Sequence, residues 1–256
     1  MGLDAALLAA IAFAAFAPSA LASTPRELYV AGKFQEAERA AFAQGTAAGY
    51  ALAARSALAA ETMRPEPCLE CLRHAEQLAL QAIEANPKLV EAQIEYVIAL
   101  GYEARVVGMI QAQLKGYAGK AKEHIDAALA ADPGNPWAWA ALGNWNIEIT
   151  GDGGPTLARM LYGATLANGL ADFARAIAAV PDSLVLQYQY ALALAAYDRN
   201  LYRDAITNAL TKAEAGTPKT AYESFAQKNV RELLATWRSG DMKAFDHLVR
   251  HDQGYP

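Results

Sequence analysis

The chain of 256 residues is long enough for one substantial domain or two small ones, and 54% of it is hydrophobic, much of that alanine. Its formal net charge of -5 is spread without a basic block, which excludes the concentrated cationic surface that displaces counterions from nucleic acid. Alanine loses no side-chain freedom in a helix, strand formers are sparse, and no long stretch alternates apolar with polar residues, so the predicted class is all-α.

Residues 5–16 are an apolar run, followed by Pro18 and by Ala20-Leu21-Ala22 before Ser23. That order predicts a secretory signal peptide over residues 1–22, cleaved after Ala22, and a periplasmic or secreted mature chain of one domain, residues 23–256. The leader departs from the usual pattern in carrying Asp4 and no Lys or Arg, which leaves an uncleaved anchor or an apolar first helix as the alternative. No Cys stands at Ser23 for lipoprotein processing. No later segment is apolar enough over about 20 residues to span a bilayer.

Tyr29-x-x-Gly32-x-Phe34-x-x-Ala37 predicts a turn and the start of an outer helix. Cys68-x-x-Cys71 follows Pro65-Glu66-Pro67 at a predicted helix start, and is a disulfide candidate in an oxidising compartment. The alternatives are a free thiol pair, a redox pair, or a metal site with His74. A thioredoxin-type motif lacks its βαβ context, and haem attachment lacks a His directly after Cys71.

Three helical stretches then end alike: Ala82-Ile83 before Pro87, Ala128-Leu129 before Pro133, and Ala176-Ile177 before Pro181. Proline disfavours helix at the residue before it, so Asn86, Asp132 and Val180 are predicted helix ends. Trp139-x-x-Leu142-Gly143-x-x-Asn146 resembles the first-helix signature of a tetratricopeptide (TPR) repeat, with Asn where the last aromatic stands. Gly143 would let a partner helix pack close. Tyr190-Ala191-x-x-Leu194 followed by Tyr202-x-x-Ala205 reads as a further pair, and residues 221–237 as a closing helix with a short tail helix after Gly240. The prolines lie 46 and 48 residues apart, against about 34 for a TPR unit, with the excess in residues 106–119 and 151–168. The fold predicted is an α-solenoid of TPR-like helical hairpins, irregular and partly closed.

From residue 122 to 237 the chain resembles the TPR-like domain of the regulator of microtubule dynamics family. The resemblance rests on Lys122-Glu123-His124-Ile125, Asp132-Pro133, Leu142-Gly143-x-Trp145, Ala158-Arg159-Met160-Leu161-Tyr162-Gly163 and Phe173-x-Arg175-Ala176. It implies the family's fold and a groove able to take an apolar ligand, and it carries over no catalytic residues.

No catalytic constellation stands out. Gly151-Asp152-Gly153-Gly154-Pro155 lacks the Lys of a phosphate loop, and His247-x-x-x-His251 lacks the Glu of a zinc protease. No cofactor and no metal are expected. Transferring the TPR frame places Glu91, Tyr102, Arg105, Trp137, Asn144, Glu148 and Tyr188 on a groove, with Trp139 and Trp145 in the core. Aromatic and amide side chains with few charges suit an extended protein or peptide partner. The expected function is non-catalytic binding. The rival readings are a small-molecule or lipid binder accessory to a transporter, and a redox protein acting through Cys68 and Cys71.

Overall fold

A computed structural model describes residues 23–256, and the expected leader, residues 1–22, lies outside the described residues. Among these residues there are helices and no strand. They are α1 (Pro25–Val30), α2 (Phe34–Phe42), α3 (Ala47–Thr62), α4 (Leu69–Ala85), α5 (Val90–Val107), α6 (Met109–Leu114) and α7 (Tyr117–Ala131). There follow α8 (Pro136–Gly153), α9 (Pro155–Tyr162), α10 (Leu166–Ala179), α11 (Leu184–Asp198), α12 (Arg203–Ala215), α13 (Ala221–Ser239) and α14 (Met242–Asp252).

These pack as successive antiparallel hairpins: α1 with α2, α3 with α4, α5 with α7, α8 with α10, and α11 with α12. The prolines act as read. Asn86, Asp132 and Val180 are the C-caps of α4, α7 and α10, each donating its N–H to the carbonyl four residues back. The next inner helix of each pair then starts on its own cap or anchor. The Asn135 side chain accepts from the Trp137 and Ala138 N–H groups, and Ser183 accepts from Leu186 N–H. Six residues after Pro87, Gln93 donates to the Pro87 carbonyl at 2.7 Å, and six after Pro133, Trp139 Nε1 donates to the Pro133 carbonyl at 2.8 Å. The same backbone acceptor is satisfied at the same repeat position by two different side chains.

The α8/α10 pair explains the Leu142-Gly143 signature. A Cβ on Gly143 would lie 2.7 Å from Phe173 Cδ2, and one on Gly169 would lie 2.6 Å from Ile147 Cγ1. The two glycines thus meet across the seam, each giving the other helix room. Asn146, standing where the repeat signature has an aromatic, holds the same seam by polar means. Its Nδ2 donates to Asp172 Oδ2 at 3.1 Å, and its Oδ1 accepts from Thr165 N–H at 3.2 Å.

The excess length is two inserted helices. α6 lies between α5 and α7, and α9 between α8 and α10, each entered through a glycine at positive φ, Gly108 and Gly154. Two large apolar clusters result. One, around Leu72, Leu100, Ile125 and Trp145, serves the first half, and the other, around Phe173, Leu192, Leu210 and Leu233, serves the second. The α8 helix belongs to both, through Trp145 and Ile147. The solenoid also comes round on itself. α1 touches α13, so closely that a Cβ on Gly32 would lie 2.8 Å from Ala221 Cβ. The superhelix is closed by contact between its first and last inner helices.

Candidate binding site on the inner face

Helices α1, α3, α5, α8, α11 and α13 turn one face inward, and the sequence puts tyrosines, acids and arginines there. On α3 and α5, Arg55 Nε donates to Glu95 Oε1 at 2.6 Å, with the Glu95 side chain 4% exposed. Burial pushes the Glu95 carboxyl up, and the Arg55 guanidinium partly counters it. Glu91, one turn earlier on α5, is exposed and within electrostatic range of both. Tyr29 on α1 faces the same pair, and burial pushes its hydroxyl up to about 12.

Further along, Arg105 of α5 pairs with Glu148 of α8 and lies 5.4 Å from the Tyr102 ring centroid, in cation–π range. On α11, the Tyr188 hydroxyl donates to Asp252 Oδ2 at 2.7 Å, while Asn229 of α13 donates to Asp252 Oδ1 at 3.2 Å. Burial first, and the Asp252 charge second, push the Tyr188 hydroxyl well above its ordinary value. Tyr222 of α13 is within electrostatic range of Tyr29, Tyr102, Glu95 and Asp252, so it belongs to the same interior.

Helix α14 does not take the outer position its place in the last hairpin suggests. It packs on α13 and α11 with Phe245 and Val249 buried, Asp246 pairs with Arg199, and the residues after it cross the inner face. Gly254 sits against Tyr102, where a Cβ would come within 2.3 Å of ring atom Cδ1. Tyr255 stacks under Arg250, 4.1 Å from guanidinium carbon to ring centroid, and lies within electrostatic range of Arg105, Glu148 and Asp152. Beside this tail is a cavity of about 390 Å³ lined by Glu148, Asp152, Tyr197, Arg199, Asp246 and Arg250 among others.

Four of the residues placed on a groove from sequence, Tyr102, Arg105, Glu148 and Tyr188, therefore come together, and the chain's own C-terminal segment lies against them. Tyr188 is 3% exposed, its ring in the second apolar cluster and its hydroxyl on Asp252, and is not free on an open surface. Asn144 is half-buried one turn before Glu148 on the same face. Trp137 is apart from them, eleven residues, about 16 Å, before Glu148 along α8, and it is exposed. Trp145 is buried and donates through Nε1 to the Ala118 carbonyl, and Trp139 is half-buried under Arg175.

The sequence reading missed Arg55, Glu95, Tyr222, Asn229, Asp252 and Tyr255. Tyr222 shares the face of Ala226, Val230 and Leu233 on its own helix, so spacing alone reads it as core. Arg55, Glu95, Asn229 and Asp252 are joined by pairings 23 to 64 residues apart, for which local spacing holds no trace.

Away from the inner face, Cys68 and Cys71 are bonded to one another across the first turn of α4, and Cys68 N–H donates to Glu61 Oε1 at 2.5 Å. Glu61 and the two sulfurs lie within 4.8 Å of one another, with both sulfurs already engaged in the disulfide. His247 and His251 are exposed on α14.

The family model described as regulator of microtubule dynamics protein 1-3 matches residues 33–238. The chain belongs to this family. No curated protein matches it. The match to the family begins just before α2 and ends within the last turn of α13, so the inner-face scaffold is almost wholly inside it. Helix α14 and the tail that lies against Tyr102 and Arg105 are outside it.

Proposed function

We propose that the protein is a non-catalytic scaffold whose inner face binds an extended segment of a protein partner. The observation that supports this reading is that residues 252–255 lie against Tyr188, Asn229 and Tyr102 and within electrostatic range of Arg105. A glycine packed against a tyrosine ring and a carboxylate held by two donors are features by which a groove reads a peptide. The C-terminal segment is then a built-in competitor of the partner. The adjoining cavity mixes Glu148, Asp152, Arg199, Asp246 and Arg250 with Ile147, Ala193, Ala195, Ala196 and Val249, a lining that suits a peptide carrying both polar and apolar side chains.

The proposal includes an oxidising compartment. The Cys68–Cys71 bond supports it, as does the apolar run closed by Ala20-Leu21-Ala22.

A fluorescent peptide of residues 248–256 tests the groove. It binds a chain truncated after His251, binds the full chain at least about tenfold more weakly, and is lost from the truncated chain carrying Tyr102→Ala with Arg105→Ala. Equal binding to full and truncated chains, or binding indifferent to the double substitution, overturns the reading.

A further inference from the structure

Along the stretch that holds α6 and α9, the two edges of the solenoid are chemically unlike. Connections from an outer helix to the next inner one, such as 86–89, 132–135 and 180–183, are short, proline-bearing and polar. Connections from inner to outer helix lie on the opposite edge, because the hairpins stack side by side, and they include both inserted helices. Among the described residues, the six large apolar residues exposed by more than half, between 53 and 76%, all lie on that second edge: Met109, Ile110, Leu114, Met160, Leu161 and Leu201. Five of them belong to α6 and α9.

Those two helices share one stretch of edge. Tyr162 at the end of α9 packs edge-on to Trp145, whose Nε1 donates to the carbonyl of Ala118 just after α6, and Ala112 and Ala158 enter the same apolar cluster. Charge follows the same division. In a chain with 27 Asp and Glu, residues 104–122 and 153–171 contain none, yet they carry Lys115, Lys120, Lys122 and Arg159 besides the inward Arg105. Among the described residues, Lys115, Lys120 and Arg159 enter no ion pair.

We infer that the α6/α9 edge docks on an anionic lipid surface. Exposed apolar side chains on two short helices, with cations and no acid within the same segments, match the boundary between headgroups and acyl chains. Tyr162 supplies the amphipathic ring suited to that depth. A two-fold contact between copies would set unpaired Lys115, Lys120 and Arg159 of each copy near those of the other, with no acid on the patch to meet them. No helix of the described residues is long and apolar enough to cross a membrane, so the contact is peripheral.

Full-length protein is tested with vesicles of phosphatidylcholine alone and of phosphatidylcholine with phosphatidylglycerol. The Ile110→Trp variant gains emission that is quenched by bromine-labelled acyl chains in the anionic vesicles. Ile110→Asp with Leu114→Asp and Met160→Asp lowers the bound fraction about tenfold or more, with the helical signal and melting temperature retained as controls. Lys115→Glu with Arg159→Glu removes the preference for phosphatidylglycerol. Absence of quenching at residue 110 overturns the inference, as does equal sedimentation of parent and triple variant. A parent that is dimeric in solution and rendered monomeric by the triple substitution assigns the edge to a second copy instead.

Discussion

The hydroxyl of Tyr188 donates to Asp252 across 2.7 Å, joining the middle of α11 to the last residue of α14, 64 positions later. This bond, reinforced by Asn229, brings the C-terminal segment onto the inner face instead of letting it continue outward. Tyr188→Phe removes the donor and keeps the ring. It is expected to cost about 1–2 kcal/mol of unfolding free energy and to speed hydrogen exchange after residue 249. Unchanged exchange there would mean that the tail is held by other contacts.

The seam between α8 and α10 is tight enough to be sensitive to one methyl group. Gly143→Ala places a carbon 2.7 Å from Phe173 and 3.0 Å from the Gly169 carbonyl, so the helices must separate. A loss of about 2–3 kcal/mol is expected, as for overpacked cores. Gly119→Ala in α7 meets nothing within 4 Å and should stabilise by about 0.5–1 kcal/mol. Denaturant titration of both variants gives opposite signs. A neutral Gly143→Ala would contradict the packing described.

Reduction of the Cys68–Cys71 bond frees only the short Pro-rich entry to α4. The loop it closes spans three positions, which puts its stabilisation near the low end for disulfides, about 2 kcal/mol. Cys68→Ser with Cys71→Ser should therefore lower the melting temperature and leave the helical signal intact. Global loss of helix in the double variant would show that the bond carries far more of the fold.

Acidification should stabilise the protein before it unfolds it. Burial pushes up the carboxyls of Glu61, Glu95, Glu103, Asp152, Asp172 and Asp252. Each binds its proton more tightly folded than unfolded, so stability rises as pH falls through the raised values and is fully gained below the ordinary 4.5 for Glu and 3.8 for Asp. His124 opposes this. Burial holds its imidazole below 6.5, so stability is lost as pH falls through that value. With six carboxyls against one imidazole, the urea midpoint at about pH 5 should exceed that at pH 7. A lower midpoint at pH 5 would refute the buried, proton-accepting state of these acids.

Much of the fold could be read from the chain because its determinants are local. A proline ends a helix within one turn of itself, so Asn86, Asp132 and Val180 could be placed without knowing their neighbours. Gly143 was similarly readable, since a missing side chain in an apolar helix asks for a close partner, although nothing named Gly169 as its opposite. The inner face was half readable. The helical frame found Tyr102, Arg105, Glu148 and Tyr188, each set by its own helix. It could not find Asp252 or Tyr255, because their position depends on where α14 turns after Gly240, and that turn is decided by partners on α11, α13 and α5. Trp137 shows the opposite error: it has the right residue type, but lies at the far end of α8 from Glu148.

The touch between Gly32 and Ala221 has a consequence for how this molecule can change over time. An open array can lengthen or shorten by whole units and can fray from either terminus, since each unit leans only on its neighbours. Here the two terminal units lean on each other as well. Losing a unit would leave a gap and adding one would force the ends past each other, so the number of units is constrained by geometry. Melting of the two end units should then be coupled, since neither can leave without giving up its contact with the other.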